Sequence, residues 1–182
     1  MAKATKNVTQ KQLYKLLGGF GLVLTVILLV VAIGVSIGHN FATVQVRDQL
    51  AQERINFPAA GTAALDVKEF PGLQQYAGQP VDNGVKAKAY ADEFIWVHMM
   101  KASGNKSYAE ASAASMAAPT DLKLAGVKST LFQGDMLRSS LLTAYAFSVL
   151  GTIAGYAFYL ALAAAAVVFA LTLFSLAKSR RA

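Results

Sequence analysis

Apolar positions concentrate in two uncharged stretches, residues 16–37 and 139–177, with a mixed polar and apolar region between them. A helix rises ~1.5 Å per residue and needs about 20 apolar residues to cross a hydrocarbon core of about 30 Å. The first stretch predicts one transmembrane helix over residues 16–37. The second exceeds what one span requires, yet no turn residue or polar gap divides it in two. Residues 150–176 are read as its membrane part and 139–149 as a helical lead-in.

The intervening region, residues 38–149, reads as helical. Residues 38–56 continue the first helix, with Phe41, Val44, Ala51 and Ile55 as its apolar stripe. Asn56-Phe57-Pro58 ends it, because a residue before proline avoids the α conformation. Pro58, Pro71 and Pro80 mark residues 57–82 as an ordered loop. Asp82 or Asn83 caps a second helix, whose stripe is Ala87, Tyr90, Ala91, Phe94, Val97 and His98, and which Gly104 or Asn105 ends. Ser107-Tyr108-Ala109-Glu110 fits a capping box and opens a short helix that Pro119 stops. The last helix is expected to start near Thr130 or Asp135 and to run into the second span. No strand pattern appears. The expected fold is an all-α membrane protein, two transmembrane helices extended into a small helical extracytoplasmic domain.

Composition supports the spans. Of 182 residues 55% are hydrophobic and 15% charged, against the ~25% charged usual in soluble domains. The net charge of +7 has a definite location. Lys3, Lys6, Lys11 and Lys15 lie in tail 1–15, and Lys178, Arg180 and Arg181 in tail 177–182, with no acid in either. Between the spans, acids and bases balance. This pattern predicts a multi-pass protein of the cell (plasma) membrane with both tails cytoplasmic, and it adds attraction to anionic membrane lipids. Nucleic-acid binding needs a clustered basic face on a folded element, so that partner class is excluded. A signal-peptide hydrophobic region runs ~7–15 residues, so the longer first stretch is read as an uncleaved anchor. The absence of cysteine excludes disulfides, thiol catalysis and cysteine metal sites.

Gly34-Val35-Ser36-Ile37-Gly38 and Gly151-Thr152-Ile153-Ala154-Gly155 are small-xxx-small patterns that let helices approach closely. At matching depth, they are expected to pack on each other or to receive a partner. No ionisable residue lies within either span, which argues against a transporter or pump working alone. His39 and His98 are far apart and lack a carboxylate or second histidine at ligand spacing, so no metal site and no cofactor is expected. His98 reads as a packing residue that hydrogen-bonds a neighbour, and His39 as an interfacial polar group. No nucleophile elbow, phosphate loop or dinucleotide fingerprint is present. Asp92 and Glu93 are adjacent and face apart, and Glu110 is a cap. No catalytic residue is therefore expected. Trp96, Met99 and Met100 form the candidate partner interface, since aromatics and Met are enriched at interfaces.

Gln75-Tyr76-Ala77-Gly78-Gln79 with Lys86-Ala87-Lys88-Ala89-Tyr90-Ala91, then Ser107-Tyr108-Ala109-Glu110, then Thr130-Leu131-Phe132-Gln133-Gly134 and Leu141-Leu142-Thr143-Ala144-Tyr145-Ala146-Phe147 form an ordered set. In these the chain resembles an uncharacterised family of two-span membrane proteins from high-GC Gram-positive bacteria. Members sometimes bear an aromatic ring-opening dioxygenase label. Such enzymes hold iron through two histidines and a carboxylate, a set that His39 and His98 do not supply. The expected function is an accessory or structural subunit of a larger bacterial membrane complex, respiratory or of the cell envelope, with a membrane-protein partner. The alternative is an extracytoplasmic ligand-binding or sensing module that signals through a partner.

Overall fold

The computed structural model describes residues 9–181, so Lys3 and Lys6 of the N-terminal tail, and Ala182, lie outside it. It is all-helical, with no strand among the described residues. Among the described residues two helices are long and apolar enough to cross a membrane: α1 (Gln10–Glu53) and α5 (Leu122–Arg181). The chain divides into two compact units. Among the described residues, one comprises 9–40 and 151–181; the other is Phe41–Leu150.

In the apolar unit, α1 and α5 meet along small residues. Gly18, Thr25, Ala32 and His39 recur on α1 at seven-residue steps, with Gly21 between the first two. On α5 the seam holds Gly151, Ala165, Thr172 and Ser179 at multiples of seven. Gly18 lies against Leu176, Gly21 against Thr172 and Gly155 against His39, so the helices run antiparallel. A seven-residue repeat keeps one seam facing its partner through a left-handed supercoil. The buried hydroxyls bond within their own helices: Thr25 donates to the Gly21 carbonyl, Thr172 to Val168 and Ser179 to Leu176, each at 2.8 Å.

The second unit has a continuous apolar core. Its α1 portion buries Ala42, Val46 and Leu50, while Phe41 and Val44 are 64% and 44% exposed. This corrects the expected Phe41–Val44 stripe. Apolar residues stand on both sides of this stretch, and the face that packs is the one toward Leu141 and Ala144, with which Leu50 lines a common cleft. Arg54, at a φ of 52°, ends the helix ahead of Pro58. Three backbone bonds then clasp the next segment at its base: Phe57 N–H to the Gln79 carbonyl at 2.9 Å, Gly78 N–H to Pro58 at 3.0 Å, and Val81 N–H to Ile55 at 2.9 Å. Two 3-10 turns, Ala63–Leu65 and Pro71–Tyr76, fold Leu65, Phe70 and Leu73 inward. The loop thus supplies much of the core.

Asn83 caps α2 (Gly84–Ala89) by accepting the Lys86 N–H at 3.0 Å. A π-helical turn, Tyr90–Ile95, follows and leads into α3 (Trp96–Ser103), which ends at Gly104 with a φ of 67°. The widened turn changes which residues are buried. Ala87, Ala91, Ile95, Met99 and Ser103 are all buried and recur at steps of four. A pure α-helix, at 3.6 residues per turn, would let such a stripe drift; the i→i+5 turn holds it in line. The helix α4 (Tyr108–Ala117) opens on the expected capping box, with Glu110 N–H to Ser107 Oγ at 3.3 Å and Ser107 N–H to Glu110 Oε2 at 2.7 Å. The start of α5 departs from the expected Thr130 or Asp135. Asp121 caps it, taking the Lys123 N–H at 2.9 Å and the Leu124 N–H at 3.2 Å.

Phe57, 2% exposed and held between Tyr76 and Tyr90, is central to this core. Phe57→Ala is expected to cost about 3–5 kcal/mol, and Asn83→Ala about 1 kcal/mol through loss of the cap. Denaturant unfolding of the full chain in detergent, followed through its single tryptophan Trp96, measures both. Equal losses for the two variants would refute the central placement of Phe57.

Candidate functional site

A group of polar side chains of the apolar unit gathers around His39. Ser36, His39 and Asn40 of α1, with Thr152, Gly155, Tyr156, Phe158 and Tyr159 of α5, line an open cleft of about 500 Å³. The imidazole is held at 2.7 Å from the Gly151 carbonyl through Nδ1. A carbonyl only accepts, so Nδ1 carries the hydrogen. A methyl group on Gly155 would stand 3.1 Å from Nδ1; glycine there makes room for the ring. No lining side chain carries a formal carboxylate, ammonium or guanidinium charge.

The glycine motifs divide between two roles. Gly151 and Gly155 belong to the seam and meet His39, whereas a Cβ on Gly34 or Gly38 would meet nothing within 4 Å. The two motifs therefore do not close on each other. The seven-residue seam places Ala32 and His39 inward, and Gly34 and Gly38 fall off it.

In the second unit, Arg138 of α5 organises a polar cluster on the π-helical turn. Its Nη2 donates to Asp92 at 2.9 Å, its Nε to the Ala91 carbonyl at 3.0 Å, and its guanidinium lies 4.6 Å from the Trp96 ring centroid. Asp92 also pairs with Lys88 one turn earlier. Lys88 first, and Arg138 after it, hold the Asp92 carboxyl below the ordinary carboxylate range, and Asp92 in turn raises the Lys88 ammonium. On the other side Tyr76, Phe57, Tyr90, Phe94, His98 and Phe70 form a continuous series of ring contacts. His98 stacks on Phe70 at 5.2 Å and donates from Nδ1 to the Phe94 carbonyl at 2.8 Å. Burial raises the Tyr90 hydroxyl pKa.

This geometry corrects the expected interface. Met99 is 4% exposed and packs in the core against Gly134, because the π-helical turn rotates it inward. Met100 is half-buried against the same core. Trp96, 41% exposed, alone keeps a large open surface, and Arg138 lies over its ring. Among the described residues, no three His, Asp or Glu side chains stand close enough together to hold a metal ion. Sequence reasoning also missed Asn40, Tyr156 and Tyr159 as neighbours of His39; the seven-residue run Gly18, Thr25, Ala32, His39 is the signal that points His39 at α5. Compared with family models, with curated proteins and with solved structures, the chain finds no match.

A depressed folded-state pKa contributes stability that is present above the unfolded pKa and lost as pH falls through the folded one. Asp92 is such a group. Asp92→Asn is expected to lower the unfolding midpoint at pH 7 and to flatten its decline below about pH 4. Midpoints measured from pH 3 to 7 check this; parallel curves for the two proteins would contradict the assignment.

Proposed function

We propose that this chain is a two-span protein of the bacterial cell membrane that acts as an accessory or structural subunit of a larger assembly, respiratory or of the cell envelope. On this reading α1 and α5 cross the bilayer, both tails are cytoplasmic and the Phe41–Leu150 unit stands outside. The basic tails and the charge-free stretches support the orientation.

One observation carries the subunit reading: Gly34 and Gly38 present an open face of α1. Helices in lipid associate through small residues that permit close approach. Within the chain the seam with α5 is made by other residues, so this face is suited to a helix from another protein. Trp96 offers a second exposed contact, outside the bilayer on this reading.

The topology is tested on single cysteines introduced into the cysteine-free chain. A membrane-impermeant maleimide should label Ala60→Cys in intact cells and Arg180→Cys only after permeabilisation; the reverse pattern would invert the orientation. For the assembly, the tagged full chain is extracted gently from its native membrane and its companions identified by mass spectrometry. A stoichiometric partner is expected. Gly34→Leu and Gly38→Leu should reduce its recovery while leaving the hairpin folded, whereas Gly21→Leu, facing Thr172, should disrupt the hairpin itself. A monodisperse monomer with no companion would refute the subunit reading.

A further inference from the structure

We propose that the cleft beside His39 binds the head group of an isoprenoid quinone or quinol. This shares with the subunit reading only the premise that α1 and α5 lie in a bilayer.

The lining selects the ligand class. Ser36, Asn40, Tyr156 and Tyr159 offer hydroxyls and an amide, His39 and Thr152 complete the wall, and no lysine, arginine or carboxylate stands among these residues. A phosphate or ammonium head would enter without a counter-charge, and an unpaired ion away from water is costly. A neutral head pays no such cost. Hydroxyl and amide groups both donate and accept, so the lining suits the carbonyls of a quinone and the hydroxyls of the quinol alike. Tyr156, Phe158 and Tyr159 add ring surface for a flat aromatic head, and aromatic pairs favour stacked or edge contacts. The volume, about 500 Å³, falls in the range of small-molecule sites.

The surroundings select the tail. Ile33, Ile37, Ile153 and Leu160, on the same two helices, are 61%, 65%, 57% and 71% exposed. A ligand seated in the cleft would therefore meet uncovered apolar helix surface on leaving it. A neutral polar head on a long hydrocarbon chain fits that surface.

Gly155 and the Gly151 carbonyl give the cleft its form, since together they seat the imidazole. Larger residues at Gly155 should displace His39, and Asn40, exposed at the rim, can be replaced without entering the seam.

The test uses the full chain in phosphatidylcholine nanodiscs, titrated with a decyl-tailed benzoquinone by calorimetry against empty discs. Saturable one-to-one binding with a micromolar Kd is expected. Asn40→Leu and Gly155→Leu should each weaken it by about tenfold or more, and Gly34→Leu should leave it unchanged. If Gly155→Leu fails to fold by circular dichroism, Asn40→Leu with Tyr156→Leu decides. Uptake equal to that of empty discs, equal affinity in every variant, or displacement of the quinone by phosphatidylglycerol would each overturn the proposal. Flotation of the reconstituted chain with lipid is run alongside; failure to float would locate the error in the bilayer premise and not in the cleft.

Discussion

The closest constraint in the molecule is steric. Where α1 faces α5 in the apolar unit, the seam is mostly glycine, alanine, serine and threonine, with His39 and Leu176 fitted against glycines, and at Gly18 and Gly21 even a methyl group would collide with Leu176 or Thr172. Helices with apolar surface on every side gain little from choosing one face over another by burial alone. Close approach settles the choice, because dispersion falls off steeply with separation. The seven-residue recurrence extends this contact along both helices and brings His39 to the Gly151 carbonyl. The cleft follows from the same spacing, since the imidazole occupies room that glycine leaves.

In the second unit the analogous decision is made by one widened turn. The Tyr90–Ile95 segment aligns Ala87, Ala91, Ile95 and Met99 and leaves the Ala91 carbonyl accessible to Arg138 while it also accepts from Trp96 N–H. Without that turn Met99 would rotate away from Gly134, and the guanidinium would lose the acceptor that fixes it beside Asp92. Irregular turns of this kind often mark functional places in helices. Here the turn serves packing on one side and a charged cluster on the other.

Local chemistry was the most legible part of the sequence. A cap at Asp82 or Asn83, the Ser107–Glu110 box and a stop at Gly104 or Asn105 rest on bonds between residues a few positions apart, and the structure contains the box and decides the other two for Asn83 and Gly104. The two long apolar helices were equally plain from charge-free length. Facing was harder to read. Phe41 and Val44 match a helical stripe as well as Ala42, Val46 and Leu50 do, and only the position of α5 separates them. Met99 was misplaced because a 3.6-residue period was carried through a turn that does not obey it. Asp121 was overlooked as a cap because Leu122, Leu124 and Val127, interrupted by Lys123 and Gly126, form no clear helical stripe. For the candidate site, Gly151 and Gly155 stood out from their spacing. Their true counterpart, His39, lay outside the four-residue pattern and inside the seven-residue one.

The clasp at the base of the 3-10 segment has a consequence for the chain's tolerance of change. Its bonds join residues 55–58 to residues 78–81, and the crest at 59–64 is exposed. The segment is therefore a closed ring whose anchoring side chains, Phe57, Leu65, Leu73 and Val81, lie on either side of that crest. A peptide bond cut at the crest would leave both new ends tethered, so a nicked chain would stay assembled. An insertion at the same place would lengthen only the free arc, at about 0.6 kcal/mol for each doubling of loop length. At the crest, sequence can be added without disturbing the core.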